Sequence, residues 1–209
     1  MNKEYPSYKT IARPVGPVLV KERKSKFLGW AFSVTDETEV AARVSQLKGE
    51  YADASHVCYG YRIDPLSPRI RVNDDGEPSN SAGRPILGQI ESSDLYNILI
   101  CVVRYYGGTK LGVGGLIQAY RETARRTLHE SPILTRVPVT LFRLAFDYDR
   151  LDAVMRLVSQ LDLEIRHQEF GLDCRLEVEV SSSTKMKARD GLLALGKIKV
   201  EEFTSYASG

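Results

Sequence analysis

Val139-Thr-Leu-Phe-Arg-Leu-Ala-Phe-Asp147 and Cys174-Arg-Leu-Glu-Val-Glu-Val180 carry the plainest strand signals in the chain. In the second, Cys174, Leu176, Val178 and Val180 alternate with Arg175, Glu177 and Glu179, the period of a half-buried strand. In the first, Phe142, Leu144 and Phe146 share one face. Between them, Leu151, Val154, Met155, Val158 and Leu161 recur at helical spacing behind Asp149, a suitable cap. Leu163–Phe170 then reads as a strand, and Gly171 turns the chain. After Val180, Ser181–Thr184 opens a helix with Ala188, Leu192 and Leu195 on one face. Gly196 caps it, and Lys197–Phe203 is the last strand. The order β-α-β-β-α-β is the ferredoxin-like plan, which leaves one sheet face open for a ligand that the fold alone does not name.

Working toward the N-terminus, Pro132 and Pro138 flank a short apolar piece directly after a helical pattern. Proline stops helices and removes ladder donors, so Ser131–Pro138 reads as a linker between domains 1–134 and 139–209. The first domain is also built of helices and strands. Val18–Lys24 and Phe27–Val34 read as adjacent strands. Asp36 caps a helix striped by Val40, Val44, Leu47 and Tyr51, with Glu39 completing a near capping box. Ser55–Ile63 is a strand, residues 64–79 a loop, and Ser81–Ile90 a short helix. Leu95–Arg104, apolar on both faces, is a central strand, and a helix follows from about Gly115 to Glu130. The fold class is α+β in two domains.

The whole chain has 209 residues, 43% hydrophobic and 27% charged, which is enough apolar material for a core and excludes wholesale disorder. The longest apolar run, Ile98–Val103, is far short of the ~20 residues needed to span a bilayer. No secretory signal is read in the first residues, and Cys58, Cys101 and Cys174 stand far apart in apolar or alternating runs. Buried free thiols in a cytoplasmic protein are expected, with no metal and no cofactor. Net charge is only +2, but residues 1–30 carry 7 basic against 2 acidic side chains. That excess serves either an anionic partner or plain solubility.

Two runs carry candidate chemistry. Arg104-Tyr-Tyr-Gly-Gly-Thr-Lys-Leu-Gly-Val-Gly-Gly115 follows a buried strand and precedes a helix. Glycines 107, 108, 112, 114 and 115 let backbone N–H groups converge near a helix N-terminus, beside Arg104 and Lys110. An anion site, most simply for phosphate, and a tight packing turn are both consistent with it. Lys110 is followed by Leu111, so the run is not a Walker loop. Arg121, Arg125 and Arg126 lie on the solvent side of the next helix, and Tyr106 is a candidate for base stacking. In the second run, Asp74, Asp75 and Glu77 cluster around Gly76, with Arg84 nearby. They read as a turn whose acids cap their own backbone and pair with Arg84 or Arg71, ahead of a Mg²⁺ or acid–base site.

Four stretches together resemble the IMPACT family, the bacterial YigZ-type members best. They are Lys24-Ser-Lys-Phe27, Ala54–Arg62, Asp74–Ser79 with Ala82–Leu87, and Val103–Leu116. Two mild departures are Asn80-Ser-Ala-Gly83 and Gly112-Val-Gly-Gly115, where the family commonly has Gly-Thr-Ala-Gly and Gly-Ala-Gly-Gly. The resemblance implies a ribosomal protein S5 domain 2-like fold for residues 1–134 and a ferredoxin-like fold for residues 139–209. Together with the glycine turn and its basic residues, the resemblance supports the expectation of a non-catalytic protein that binds RNA or the ribosome and acts in regulation of translation. Eukaryotic relatives regulate translation through an additional N-terminal domain that engages an activator of an initiation-factor kinase; this chain is expected to have no room for that domain, so that mechanism is not carried over. Two alternatives stand beside it. One is an enzyme acting on a small phosphorylated ligand or nucleotide through the glycine turn and acidic loop. The other is a protein-interaction module using the second domain's open sheet. The sequence leaves the oligomeric state unassigned.

Overall fold

A computed structural model describes residues 7–181 and 183–208. The fold is a mixed α/β one, and the chain divides into two compact units, one running to Arg136 and one from Val137 to Ser208.

In the first unit, β2 (Val15–Glu22) and β3 (Ser25–Ser33) form a hairpin. Arg23 and Lys24 close it in left-handed conformations (φ 41° and 68°), as a two-residue hairpin turn requires. α1 (Glu37–Glu50) begins where the Asp36 carboxylate accepts from the N–H groups of Thr38 and Glu39. Glu39 reaches back to the N–H of Thr35, one residue before the cap. β4 (His56–Ile63), β5 (Arg69–Asn73), α2 (Gly83–Ser92), β6 (Ile98–Tyr105) and α3 (Gly112–His129) follow. The sheet order is β2-β3-β6-β4-β5, with every pair antiparallel. β6 is central. Its even-numbered side chains, such as Ile100 and Val102, join Phe27, Ile86 and Tyr120 under α2 and α3. Leu99, Cys101 and Val103 join Tyr61, Val40 and Leu47 under α1. Cover on both faces explains why this strand reads as an unbroken apolar run.

Two expectations are corrected here. Residues 64–79 contain a strand, β5, paired to β4 from Ile63–Arg69 to Tyr59–Asn73. The alternation Arg69-Ile-Arg-Val72 is too short and too charged to stand out, yet Val72 packs on the core beneath α2 and α3. Nor is Ser131–Pro138 a loop linker. β7 (Ile133–Asp147) runs straight through it, pairing at Ile133–Arg136 with β1 (Tyr8–Ile11) and at Thr140–Asp147 with β9 (Asp173–Val180). Pro138 falls between those two ladders, where its missing N–H costs neither of them.

The second unit adds α4 (Leu151–Gln160), β8 (Glu164–Glu169), α5 (Lys185–Ala194) and β10 (Ile198–Ser208), with sheet order β10-β7-β9-β8. Phe142, Leu144, Leu176 and Val178 bury against Val154, Val158, Ala188 and Leu192. Asp149 does not cap α4. It sits in a 3-10 turn, Tyr148–Arg150, and no side chain caps that helix. The opposite sheet surface is laid with Arg143–Glu177 and Arg166–Glu179 pairs.

In the first unit α2 lies close on the sheet. A Cβ on Gly83 would stand 2.8 Å from the backbone nitrogen of Asn73 and 2.9 Å from Cβ of Val72. Gly83→Ala is therefore expected to destabilise this unit by about 1–3 kcal/mol, the cost of overpacking against atoms that cannot swing away. The single tryptophan, Trp30, lies in that unit, so its fluorescence across a urea titration reads the change.

Candidate functional site

The acidic run is folded inward. Asp74 Oδ1 accepts from the N–H groups of Ala82 (3.0 Å) and Gly83 (2.8 Å), and Oδ2 from that of Asn80 (2.8 Å). It thereby satisfies donors at the start of α2, where an anion is favoured. Asp75 accepts from the N–H of Val57 (2.7 Å) and pairs with Lys48 Nζ (2.6 Å). Its carbonyl lies 2.8 Å from His56 Nδ1. Glu77, only 4% exposed at its side chain, accepts from Arg104 Nη1 (2.5 Å) and from the Tyr120 hydroxyl (2.7 Å). His56 Nε2 stands 3.8 Å from the same carboxylate oxygen. Tyr120 in turn accepts from the Cys58 thiol at 3.3 Å. Burial pushes the Cys58 thiol and the Tyr120 hydroxyl well above their ordinary values. Arg84 pairs with Glu91 instead of an acid of this run, and Arg71 has no carboxylate partner among the described residues.

Arg104 is 5% exposed, lies over the rings of Phe27 (5.4 Å) and Tyr106 (5.6 Å), and leaves its Nε without a partner. It is thus a buried anchor that ties the acidic run to the glycine turn, and offers no surface contact to an anion. Beyond it, the turn is held by two serine hydroxyls: Ser55 Oγ accepts from Tyr106 N–H, and Ser25 Oγ from Gly107 N–H, each at 3.1 Å. Gly107 is pressed on the β2–β3 hairpin, where a Cβ would meet the Lys24 carbonyl carbon at 2.1 Å. Gly108 and Gly112 hold φ of +80° and +71°.

The outer part of the turn is open. Gly108, Thr109, Lys110, Gly112, Val113 and Gly114 are exposed, as is Tyr106. No side chain caps α3, so among the described residues the N–H groups of Gly112, Val113 and Gly114 have no protein partner. Lys110 makes no ion pair among the described residues. Beside it the hairpin presents Lys24 at its turn, whereas Lys26, opposite Tyr105 across the β3–β6 ladder, lies on the α1 face with Leu28 and Trp30. These two lysines were legible only as part of a basic N-terminal excess, because the hairpin reaches the turn through tertiary pairing. Arg121 is exposed and without an ion pair among the described residues. Arg125 and Arg126 both close on Glu122, at 2.8 and 2.6 Å, and hold that carboxyl down to about 2. Among the described residues no three His, Cys, Asp or Glu side chains are grouped to hold a metal ion, and no helix is long and apolar enough to cross a membrane.

Residues 23–128, from the hairpin turn to the end of α3, match the Impact N-terminal domain family. The IMPACT family member of Haemophilus influenzae is 33% identical over 177 residues, covering 82% of this chain and 85% of that one. The IMPACT family member YigZ of Escherichia coli is 35% identical over 162 residues, covering 75% and 79%. A crystal structure described only as that of a hypothetical protein superposes with a TM-score of 0.73 at 28% identity, covering 94% of this chain and 97% of that one.

Two outcomes follow from the buried cluster. Glu77→Gln keeps the shape but strands the Arg104 charge in the core, so the first unit should lose about 3 kcal/mol in denaturant titration. Cys58, Cys101 and Cys174 are fully buried, and a thiol reagent should label none of them quickly in the native chain and all three in denaturant. Rapid native labelling at Cys58 would contradict the closed cluster.

Proposed function

The chain belongs to the IMPACT family, and on that premise we propose that it is a non-catalytic RNA- or ribosome-binding protein that regulates translation. The observation that carries the reading is the open glycine turn at the uncapped start of α3, which bears Lys110 and packs on the hairpin at Lys24. The N–H donors at the uncapped start of α3 and lysines without an ion pair among the described residues suit phosphate oxygens, whereas base identity is read elsewhere. Tyr106, exposed with its ring beside Arg104, is the stacking candidate. Arg121 extends the basic rim along α3, while Arg125 is already neutralised by Glu122.

We also read the first unit as S5 domain 2-like and the second as ferredoxin-like. The strand order β10-β7-β9-β8 around two helices supports the latter. The acids that a metal-assisted reaction would need are engaged by backbone N–H groups, Lys48 and Arg104. The second unit's sheet surface, laid with Arg–Glu pairs, gives a protein partner little apolar purchase.

The test is co-sedimentation with ribosomes and free RNA across a salt series. Wild type should bind with a steep salt dependence, and Lys24→Ala/Lys110→Ala should flatten the log–log slope by about 1.5. Arg125→Ala should stay near wild type. Absence of binding at low salt, or a slope that the double variant leaves unchanged, refutes the reading.

A further inference from the structure

On the other side of the same sheet, a groove of about 370 Å³ opens between α1 and the β4–β5 strands. Its volume falls within the ~300–1,000 Å³ common for small-molecule sites. Val40 and Val44 form an apolar wall, and the Tyr59 ring lines the strand side. Three charged side chains also line it: Glu37, Lys48 and Arg71. Two of them are matched. Glu37 accepts from the Tyr61 hydroxyl (2.9 Å) and lies 3.6 Å from Arg69, and Lys48 is paired with Asp75 at 2.6 Å. Arg71 is exposed and has no carboxylate partner among the described residues, so it is the uncompensated charge of the lining.

An aromatic side, an aliphatic wall and one free guanidinium select a ligand with a flat ring and a single anionic group. Arginine's planar fork matches phosphate oxygens two at a time, and a tyrosine ring accepts any base by stacking. We propose that this groove binds a nucleoside monophosphate, its base against Tyr59 and the two valines and its phosphate on Arg71. The source is either a free mononucleotide or the 5′-phosphorylated end of an RNA strand. The site lies on the face covered by α1, whereas α3, whose start carries the glycine turn, packs on the opposite face. It therefore stands whether or not the turn contacts RNA.

Isothermal titration of the full chain with AMP, UMP, adenosine and inorganic phosphate decides it. Both nucleotides should bind with Kd below about 1 mM, and adenosine and phosphate each at least tenfold more weakly. Arg71→Ala should weaken nucleotide binding by about tenfold or more, as loss of a charge-assisted contact does. Tyr59→Leu should weaken it while sparing the fold, checked by Trp30 fluorescence. Arg175→Ala, an exposed position of the second unit, should leave it unchanged. Equal affinity for a 5′-phosphorylated tetranucleotide assigns the site to RNA ends, and loss of binding with that probe assigns it to the free nucleotide. No heat at about 5 mM nucleotide overturns the proposal. So does binding that Arg71→Ala leaves intact.

Discussion

A carboxylate with almost no access to water organises the first unit. Glu77 is ionisable, buried and held by Arg104 and Tyr120, and a buried charge persists only when paired and hydrogen-bonded. Its three partners come from distant places: the end of the central strand, the middle of α3, and His56 at the start of β4. One loop is thereby fastened to three elements. Asp74 and Asp75 complete the fastening at α2 and α1, so the acidic run works as a clasp across several elements.

The clasp also divides the cations by role. Arg104 points inward and holds the root of the glycine turn, while Lys110 on the turn and Lys24 on the hairpin beneath it are exposed. Ser25 and Ser55 take up the turn's first two N–H groups and leave those at the start of α3 exposed. Only glycine fits at 107, where the turn's backbone lies directly on the hairpin beneath it. Farther along α3, Arg125 and Arg126 are bound to Glu122 and add little net field.

Much of this was legible in the residues themselves. The alternation at Cys174–Val180, the apolar run of β6, the Asp36 cap and the striped helices all reflect local periodicity, and the structure keeps them. β5 and the passage through Pro138 were not legible. A five-residue charged edge strand and a proline between two ladders gain their order from neighbours, not from local preference.

The sequence by itself determined most of the elements, the family, and the two unusual runs that mark the candidate site. Tertiary structure alone decided what those runs do. It sent Arg104 inward and Lys24 to the rim, joined Glu77 to Tyr120 across 43 positions, and left Arg71 unmatched in a groove. The reason is that a side chain's chemistry is fixed by its type, whereas its partners and its exposure to water are set by chain segments far away in sequence.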